Sequence, residues 1–290
     1  MYACLILAAV AVEPLLLKDG DRVVFLGNTL IEREQHYGWW ETALLARFPG
    51  KDVVVRNLGW DGDTVFGHGR VGYAYTRTGS PDVAVAYKHL VEHTLSVKPT
   101  IIFVAYGRNE AFEGPKGLPA FKAQLNKLLD DLTPAKARVI LLGPLAQGTM
   151  PPPLPAPDQA NKNLRLYADA IAEVAKARKL TYVDLFTLFG DIGKQGWSDN
   201  GVHLNEAGYK ATAPLLMKAL GLPEKADDNE KARQLIREKN QLYFHRWRPQ
   251  NETYLFGFRK HEQGKNGIEI PQFDPLVEAK EKAIRAAWSK

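Results

Sequence analysis

The chain has 290 residues, 45% of them hydrophobic and 24% charged, the balance of an ordinary globular protein with one substantial core, or one core and an appendage. Its formal charge of +5 is scattered along the sequence with no nucleic-acid-binding motif, which argues against a DNA or RNA partner. A lone cysteine, Cys4, excludes a disulfide framework and a cysteine-based metal site.

In chain order, the first feature is the apolar stretch "MYACLILAAVAVEP". Met1 to Val12 is too short to span a bilayer, so no stable membrane span is expected there. The stretch leaves through small residues, Ala9-Val10-Ala11, and meets Glu13-Pro14 at once. We read residues 1–11 as a signal peptide in preference to a first buried strand, although a basic start is missing. That places the protein outside the cytoplasm, secreted or in the periplasm or cell envelope.

From Arg22 onward, short Val/Ile/Leu-rich runs alternate with longer amphipathic ones. Strands are predicted at Arg22 to Leu26, Asp52 to Asn57, Thr100 to Tyr106, Ala137 to Leu142 and Thr181 to Phe186. Each is nearly continuous in apolar residues, as a strand covered on both faces must be. Helices are predicted at Trp39 to Arg47, Val83 to Leu95, Leu118 to Leu132, Pro157 to Arg178 and Glu206 to Leu220. The alternation implies an α/β fold: a three-layer α/β/α sandwich around a parallel five-stranded sheet, flavodoxin-like in outline. The sandwich should occupy residues 20–222, and residues 223–290 form an extension rich in helix and aromatics. Within that extension a charged helix is expected over Glu224 to Asn240 and a closing helix over Pro275 to Trp288.

A parallel sheet places its chemistry in the loops beyond the carboxyl ends of its strands. In those loops Thr29 offers a hydroxyl, His203 an imidazole, Asn109 a side-chain amide and Gly59 a backbone N–H clear of any side chain. Ester hydrolysis needs these types: a nucleophile, a base to take its proton, and donors aimed at the developing oxyanion. Each also has a plainer role. Thr29 suits a helix N-cap, Asn109 and Gly59 suit turns, and Asp61 and Asp63 in "GWDGDT" read as a turn more readily than as a cation site. His89 and His93 lie four apart on a helix, yet no third metal ligand accompanies them. The Pro-rich "GPLAQGTMPPPLPAP" reads as an ordered surface loop with little chemistry. In the extension, Tyr243, Phe244, Trp247, Tyr254, Phe256 and Phe258 suit packing, or stacking on sugar rings. Arg246, Arg248, Arg259 and His261 are candidates to hold an acid group or close the site.

Four of these loops, in order and context, resemble the blocks of the SGNH (GDSL) hydrolase family. They are Gly27-Asn28-Thr29-Leu30, Asn57-Leu58-Gly59, Gly107-Arg108-Asn109-Glu110 and Asn200-Gly201-Val202-His203, the last running on as "HLNEAGY". The resemblance spans roughly Arg22 to Leu220. It implies Thr29 as nucleophile where the family has Ser, His203 as base, and Gly59 and Asn109 as the oxyanion hole. The family's acid position falls on Asn200, with Asp199 one residue before it and preferred as the group that orients His203. Asn28 replaces the family's Asp, and Asp61 stands where many relatives carry Ser.

The implied activity is hydrolysis of an ester in a small molecule or carbohydrate, an O-acyl (acetyl) group foremost, with neither metal nor organic cofactor. The alternative is a catalytically impaired binding protein on the same scaffold, for a carbohydrate or cell-envelope ligand. A nucleotide-binding protein of flavodoxin type lacks support, because no glycine-rich phosphate loop follows the first strand.

Overall fold

The computed structural model describes residues 14–79, 81–225, 229–249, 251–262 and 266–288, so the stretch read as a signal peptide lies outside the described residues. Five strands form one parallel sheet: β1 (Arg22–Gly27), β2 (Val54–Asn57), β3 (Ile101–Ala105), β4 (Arg138–Leu142) and β5 (Thr181–Val183), in the order β2-β1-β3-β4-β5. The helices in chain order are α1 (Thr29–Tyr37), α2 (Trp39–Ala46), α3 (Val71–Thr78), α4 (Val83–Ser96), α5 (Gly114–Asp131) and α6 (Asp158–Arg178). They continue with α7 (Leu185–Phe189), α8 (Glu206–Ala219), α9 (Glu230–Trp247), α10 (Glu252–Leu255) and α11 (Phe273–Trp288).

Because successive strand residues point to opposite faces, each strand feeds two cores. Val23, Phe25, Phe103 and Ile140 pack beneath α1, α2 and α8 with Trp40, Leu44 and Leu216. Val24, Leu26, Ile102 and Leu141 pack on the other face beneath α4, α5 and α6 with Leu90, Leu128 and Ile171. This is the three-layer α/β/α sandwich that the strand pattern implies.

Several elements depart from the expected boundaries. β5 stops at Val183 because Asp184 ends it: the Asp184 carboxylate accepts from the Thr187 N–H at 3.3 Å and starts α7. The charged helix of the extension begins at Glu230, capped by Asn229, and runs on through Tyr243, Phe244 and Trp247, so these aromatics are helical. Helices α3, α7 and α10 lie outside the expected helices.

The extension covers the β2 edge of the sheet. From α9, buried Lys239 pairs with Glu41 of α2 and donates to the Val55 carbonyl at 3.1 Å, and Arg56 of β2 pairs with Glu281 of α11. Tyr243 and Trp247 are buried in the core, which fits packing and not sugar stacking for these two residues. Among the described residues, no helix is long and apolar enough to cross a membrane.

Candidate active site

β1 and β3 are neighbours whose chains leave the sheet in opposite directions, to β2 on one side and β4 on the other. The crevice at their carboxyl ends is where ligands enter such sheets. A narrow cleft of about 30 Å3 opens there, lined among others by Thr29, Leu30, Arg108, Asn109, Val202 and His203. Thr29, Asn109 and His203 therefore face one space, although 174 residues separate the first from the last.

β1 ends at Gly27, and the residue that caps the following helix is Asn28: its side-chain oxygen accepts from the Leu30 N–H at 3.1 Å. Thr29, given the capping role as an alternative, is the first residue of α1 and does not cap it. Its hydroxyl oxygen accepts from the Gly62 N–H at 3.1 Å, and no described residue accepts the hydroxyl proton. That proton is left for the cleft.

The loop after β2 holds this arrangement from behind. Asp63 is fully buried, pairs with equally buried Arg70 at 2.9 Å, and accepts from Tyr106 Oη at 3.1 Å and the Gly69 N–H at 3.1 Å. Asp63 is thus a structural anion rather than a cation ligand. Asn109 donates its amide to the Asp63 carbonyl at 2.8 Å while lining the cleft, which ties the loop after β3 to the loop after β2. Glu110 makes the second tie, accepting from the Val65 N–H at 2.8 Å and the Gly107 N–H at 2.9 Å. Burial pushes its carboxyl up to about 7 against those bonds.

Gly59 is corrected by this geometry. Its N–H donates to Asn57 Oδ1 at 2.9 Å, Asn57 Nδ2 in turn donates to the Ile31 carbonyl at 2.6 Å, and Gly59 does not line the cleft. A Cβ at this position would stand 2.2 Å from the Glu32 backbone nitrogen, so glycine here admits α1 against the loop. The N–H that meets Thr29 belongs to Gly62.

The histidine side is also corrected. Asn200 Oδ1 accepts from the backbone N–H groups of Val202 at 2.9 Å and His203 at 3.0 Å, closing its own turn. Exposed Asp199 accepts from Asn205 Nδ2 at 3.0 Å. The Asn200 amide and the Asp199 carboxylate both bond within the loop, and among the described residues no hydrogen bond joins either of them, or any other side chain, to the His203 ring. Burial, then the charges of Arg33 and Arg108, hold the half-buried ring below its ordinary value of 6.5, and Asp61 pulls it back up. The ring is therefore neutral at neutral pH, the state a base requires.

Other participants went unread in the sequence. Arg108 is held down to about 10 by burial, and Tyr209, which donates to the Leu30 carbonyl at 2.6 Å, forms part of the cleft wall. Gly143, Pro144 and Leu145 line it too, so the loop expected to carry little chemistry contributes its first residues. Arg108 stood in plain view inside the third block. Among the described residues, no group of three or more His, Cys, Asp and Glu side chains is placed to hold a metal ion; His89 and His93 stack instead, with ring centroids 5.6 Å apart.

Comparison with known proteins agrees with this architecture. No curated protein matches the sequence. Among solved structures, the fold is similar to Axe2, an acetylxylan esterase from Geobacillus stearothermophilus, with a TM-score of 0.54 and 16% identity over 71% of this chain and 96% of that one. It is similar to LAE5, an alpha/beta hydrolase enzyme from the metagenome of Lake Arreo, Spain, with a TM-score of 0.53 and 18% identity over 72% of this chain and 99% of that one. It also resembles BT4096, a gut microbial diltiazem-metabolizing enzyme, with a TM-score of 0.54 and 18% identity over 71% of this chain, and spans about half, 48%, of that protein's length. The family model of the GDSL-like Lipase/Acylhydrolase family matches residues 22–211, the whole sheet and every loop that lines the cleft, and the chain belongs to that family.

Proposed function

We infer that the protein hydrolyses esters with Thr29 as nucleophile and His203 as base, and that its substrates carry short O-acyl groups, acetyl foremost, on a carbohydrate. The observation that carries this is the single narrow cleft onto which Thr29, His203 and Asn109 all open. The Thr29 oxygen adds to the ester carbonyl carbon as its proton passes to His203. The carbonyl oxygen takes up negative charge, with the Asn109 amide as the donor at hand. Collapse breaks the bond to the alcohol, which leaves with the proton from His203. Water, giving a proton to His203, then attacks the acyl-threonine, and the carboxylic acid departs as Thr29 recovers its hydroxyl.

A short acyl group is favoured by the size of the cleft: about 30 Å3 is only about twice what one ordered water needs. A carbohydrate is supported by Phe112, three residues beyond Asn109 and 81% exposed, a flat apolar face of the kind sugar rings stack on. The fold likeness to an acetylxylan esterase supports the same substrate class. The apolar stretch ending at Ala11 supports an address outside the cytoplasm. Native protein should then begin near Val12 by mass spectrometry, and an intact Met1 in the cell-envelope fraction would contradict it.

The second reading, a catalytically impaired binding protein, is favoured by one observation: among the described residues, no carboxylate bonds the His203 ring. Purified full-length protein incubated with 4-nitrophenyl acetate and acetylated oligosaccharides separates the two. Acetate release that disappears in His203→Ala, with circular dichroism unchanged, supports the hydrolase. An inert wild type that still binds the oligosaccharides supports the binder.

A further inference from the structure

Arg108 lines the cleft half-buried, and among the described residues no carboxylate forms an ion pair with it. Its guanidinium reaches the Leu145 carbonyl at 3.4 Å and Gln147 Oε1 at 3.5 Å, both at the outer limit of a hydrogen bond. Five N–H donors are thus served by two long contacts. The acceptors cannot easily come closer, because Gln147 is clamped to Asn161, its N–H donating to Asn161 Oδ1 at 2.7 Å and its carbonyl accepting from Asn161 Nδ2 at 3.0 Å. The acids of the flanking loops are engaged elsewhere: Glu110 with the Val65 and Gly107 N–H groups, Asp63 with Arg70, Asp191 with Thr149 and Asp199 with Asn205. Asp61 is exposed and does not line the cleft. Burial, with no carboxylate opposing it, holds Arg108 down to about 10. Beside the His203 loop, Arg33 ends on Tyr37 Oη at 3.2 Å and the Leu204 carbonyl at 3.4 Å, with its buried Nε unpartnered among the described residues.

We propose that Arg108 forms an anion subsite in the cleft wall, and that the substrate carries a monoanionic oxyanion, a carboxylate or a sulfate, on the part that leaves with the alcohol. A cation withdrawn from water without a counter-charge is costly, and an oxyanion that accepts two parallel N–H bonds from one guanidinium offsets that cost. The anion belongs to the alcohol side because a cleft of about 30 Å3 is filled by a short acyl group alone. A monoanion fits better than a phosphate dianion, since the two groups already at the guanidinium, the Leu145 carbonyl and Gln147 Oε1, are acceptors that repel further negative charge. On a carbohydrate, this chemistry describes an O-acetylated uronic acid or an O-acetylated sulfated sugar. Exposed Phe112, four residues after Arg108, stands on the same side of the sheet to meet the ring. The substrate class rests on the ester-hydrolase reading; the anion subsite does not.

The experiment measures kcat/KM of the full-length protein on three sugars acetylated at the same hydroxyl, methyl glucoside, methyl glucuronoside and methyl glucoside 6-sulfate, and calorimetric binding of the three unacetylated sugars. At low salt, at least one acidic ester should be preferred over the neutral one by at least about tenfold, chiefly through KM, and the preference should shrink as salt is raised. The uronate and the sulfate, compared with each other, show which oxyanion the subsite takes. In Arg108→Met, with circular dichroism unchanged, the ratio of acidic to neutral kcat/KM should fall at least about tenfold. Arg108→Lys keeps the charge without the two-pronged geometry and should retain part of the preference. Arg178→Met, which removes a distant arginine paired with Asp130, should leave the ratio where it was. A wild type that favours neither acidic sugar in turnover or, where it cleaves none, in binding overturns the proposal without recourse to a variant. So does a preference that survives Arg108→Met, including one that survives because all three esters lose equally. A binding preference for an acidic sugar that Arg108→Met removes, in a protein that cleaves no ester, leaves the anion subsite standing and removes the hydrolase reading instead.

Discussion

The two walls of the cleft are built on different principles. Thr29 and Asn109 stand on a wall braced by buried charge: Asp63 with Arg70, and Glu110 across two loops. His203 stands on a wall braced by short-range bonds within one exposed loop, Asn200 to the Val202 and His203 backbone and Asp199 to Asn205. The difference teaches where rigidity has been placed. The Thr29 wall cannot shift without exposing buried ions, whereas the histidine wall can adjust by small turns of one loop. Arg33 is a direct bridge between them, reaching from α1 to the Leu204 carbonyl at 3.4 Å.

Breaking the stiff wall should have the largest effect. Arg70→Met strands the fully buried Asp63 carboxylate with only Tyr106 and the Gly69 N–H, and should lower unfolding free energy by about 3–5 kcal/mol, read by urea denaturation. A loss below about 1 kcal/mol would mean the wall is not built on that pair.

A pH-dependent effect of similar order belongs to Glu34 on α1, which accepts from the N–H groups of Trp40 at 2.8 Å and Glu41 at 3.1 Å. Burial pushes its carboxyl from 4.5 up to about 8. Between those values the native state keeps a proton that the unfolded chain releases, so stability falls as pH rises through the window. Glu34→Gln retains the acceptor oxygen and carries no such proton. Its stability relative to wild type should therefore climb by on the order of a few kcal/mol between pH 5 and pH 9, in paired thermal or urea melts. A difference that stays flat with pH would place the Glu34 carboxyl in water.

The softer wall should respond weakly and unequally. Asn200→Ala removes the acceptor for two backbone N–H groups and should lower stability by about 1 kcal/mol, with ester turnover falling several-fold. Asp199→Asn touches an exposed side chain bonded to Asn205 and should leave stability and turnover unchanged. A turnover collapse in Asp199→Asn alone would show that the loop rearranges to bring that carboxylate onto the ring.

The sheet was legible because buried parallel strands are written as continuous apolar runs, and all five appear near their expected places. Boundaries shifted where a side chain bonds its own backbone, as Asp184 does in ending β5. Helix α1 was harder to see because three of its four buried residues are Glu32, Glu34 and Gln35, which look like surface until their partners are known. Those partners are far away in the chain: Arg248 for Glu32, just as Lys239 is for Glu41. Residue types and loop positions placed Thr29, Asn109 and His203 on one cleft, yet spacing says nothing about where a short side chain points. Hence Asn200 and Asp199, read as candidates to orient the ring, bond their own loop. Gly59, read as an oxyanion donor, has an N–H already taken by Asn57.

The central claim is that the Thr29 hydroxyl is a nucleophile, and kcat/KM for acetyl ester hydrolysis in Thr29→Ser and Thr29→Ala, with thermal midpoints on the same samples, tests it most directly. Because Asn28 and not Thr29 caps α1, neither substitution should unfold the helix. Thr29→Ser keeps the hydroxyl, removes the methyl that crowds attack, and should match or exceed wild type. Thr29→Ala should lose about a thousandfold or more, several kcal/mol of transition-state stabilisation, at a nearly unchanged midpoint. A Thr29→Ala protein that turns over the ester at the wild-type rate would contradict the account.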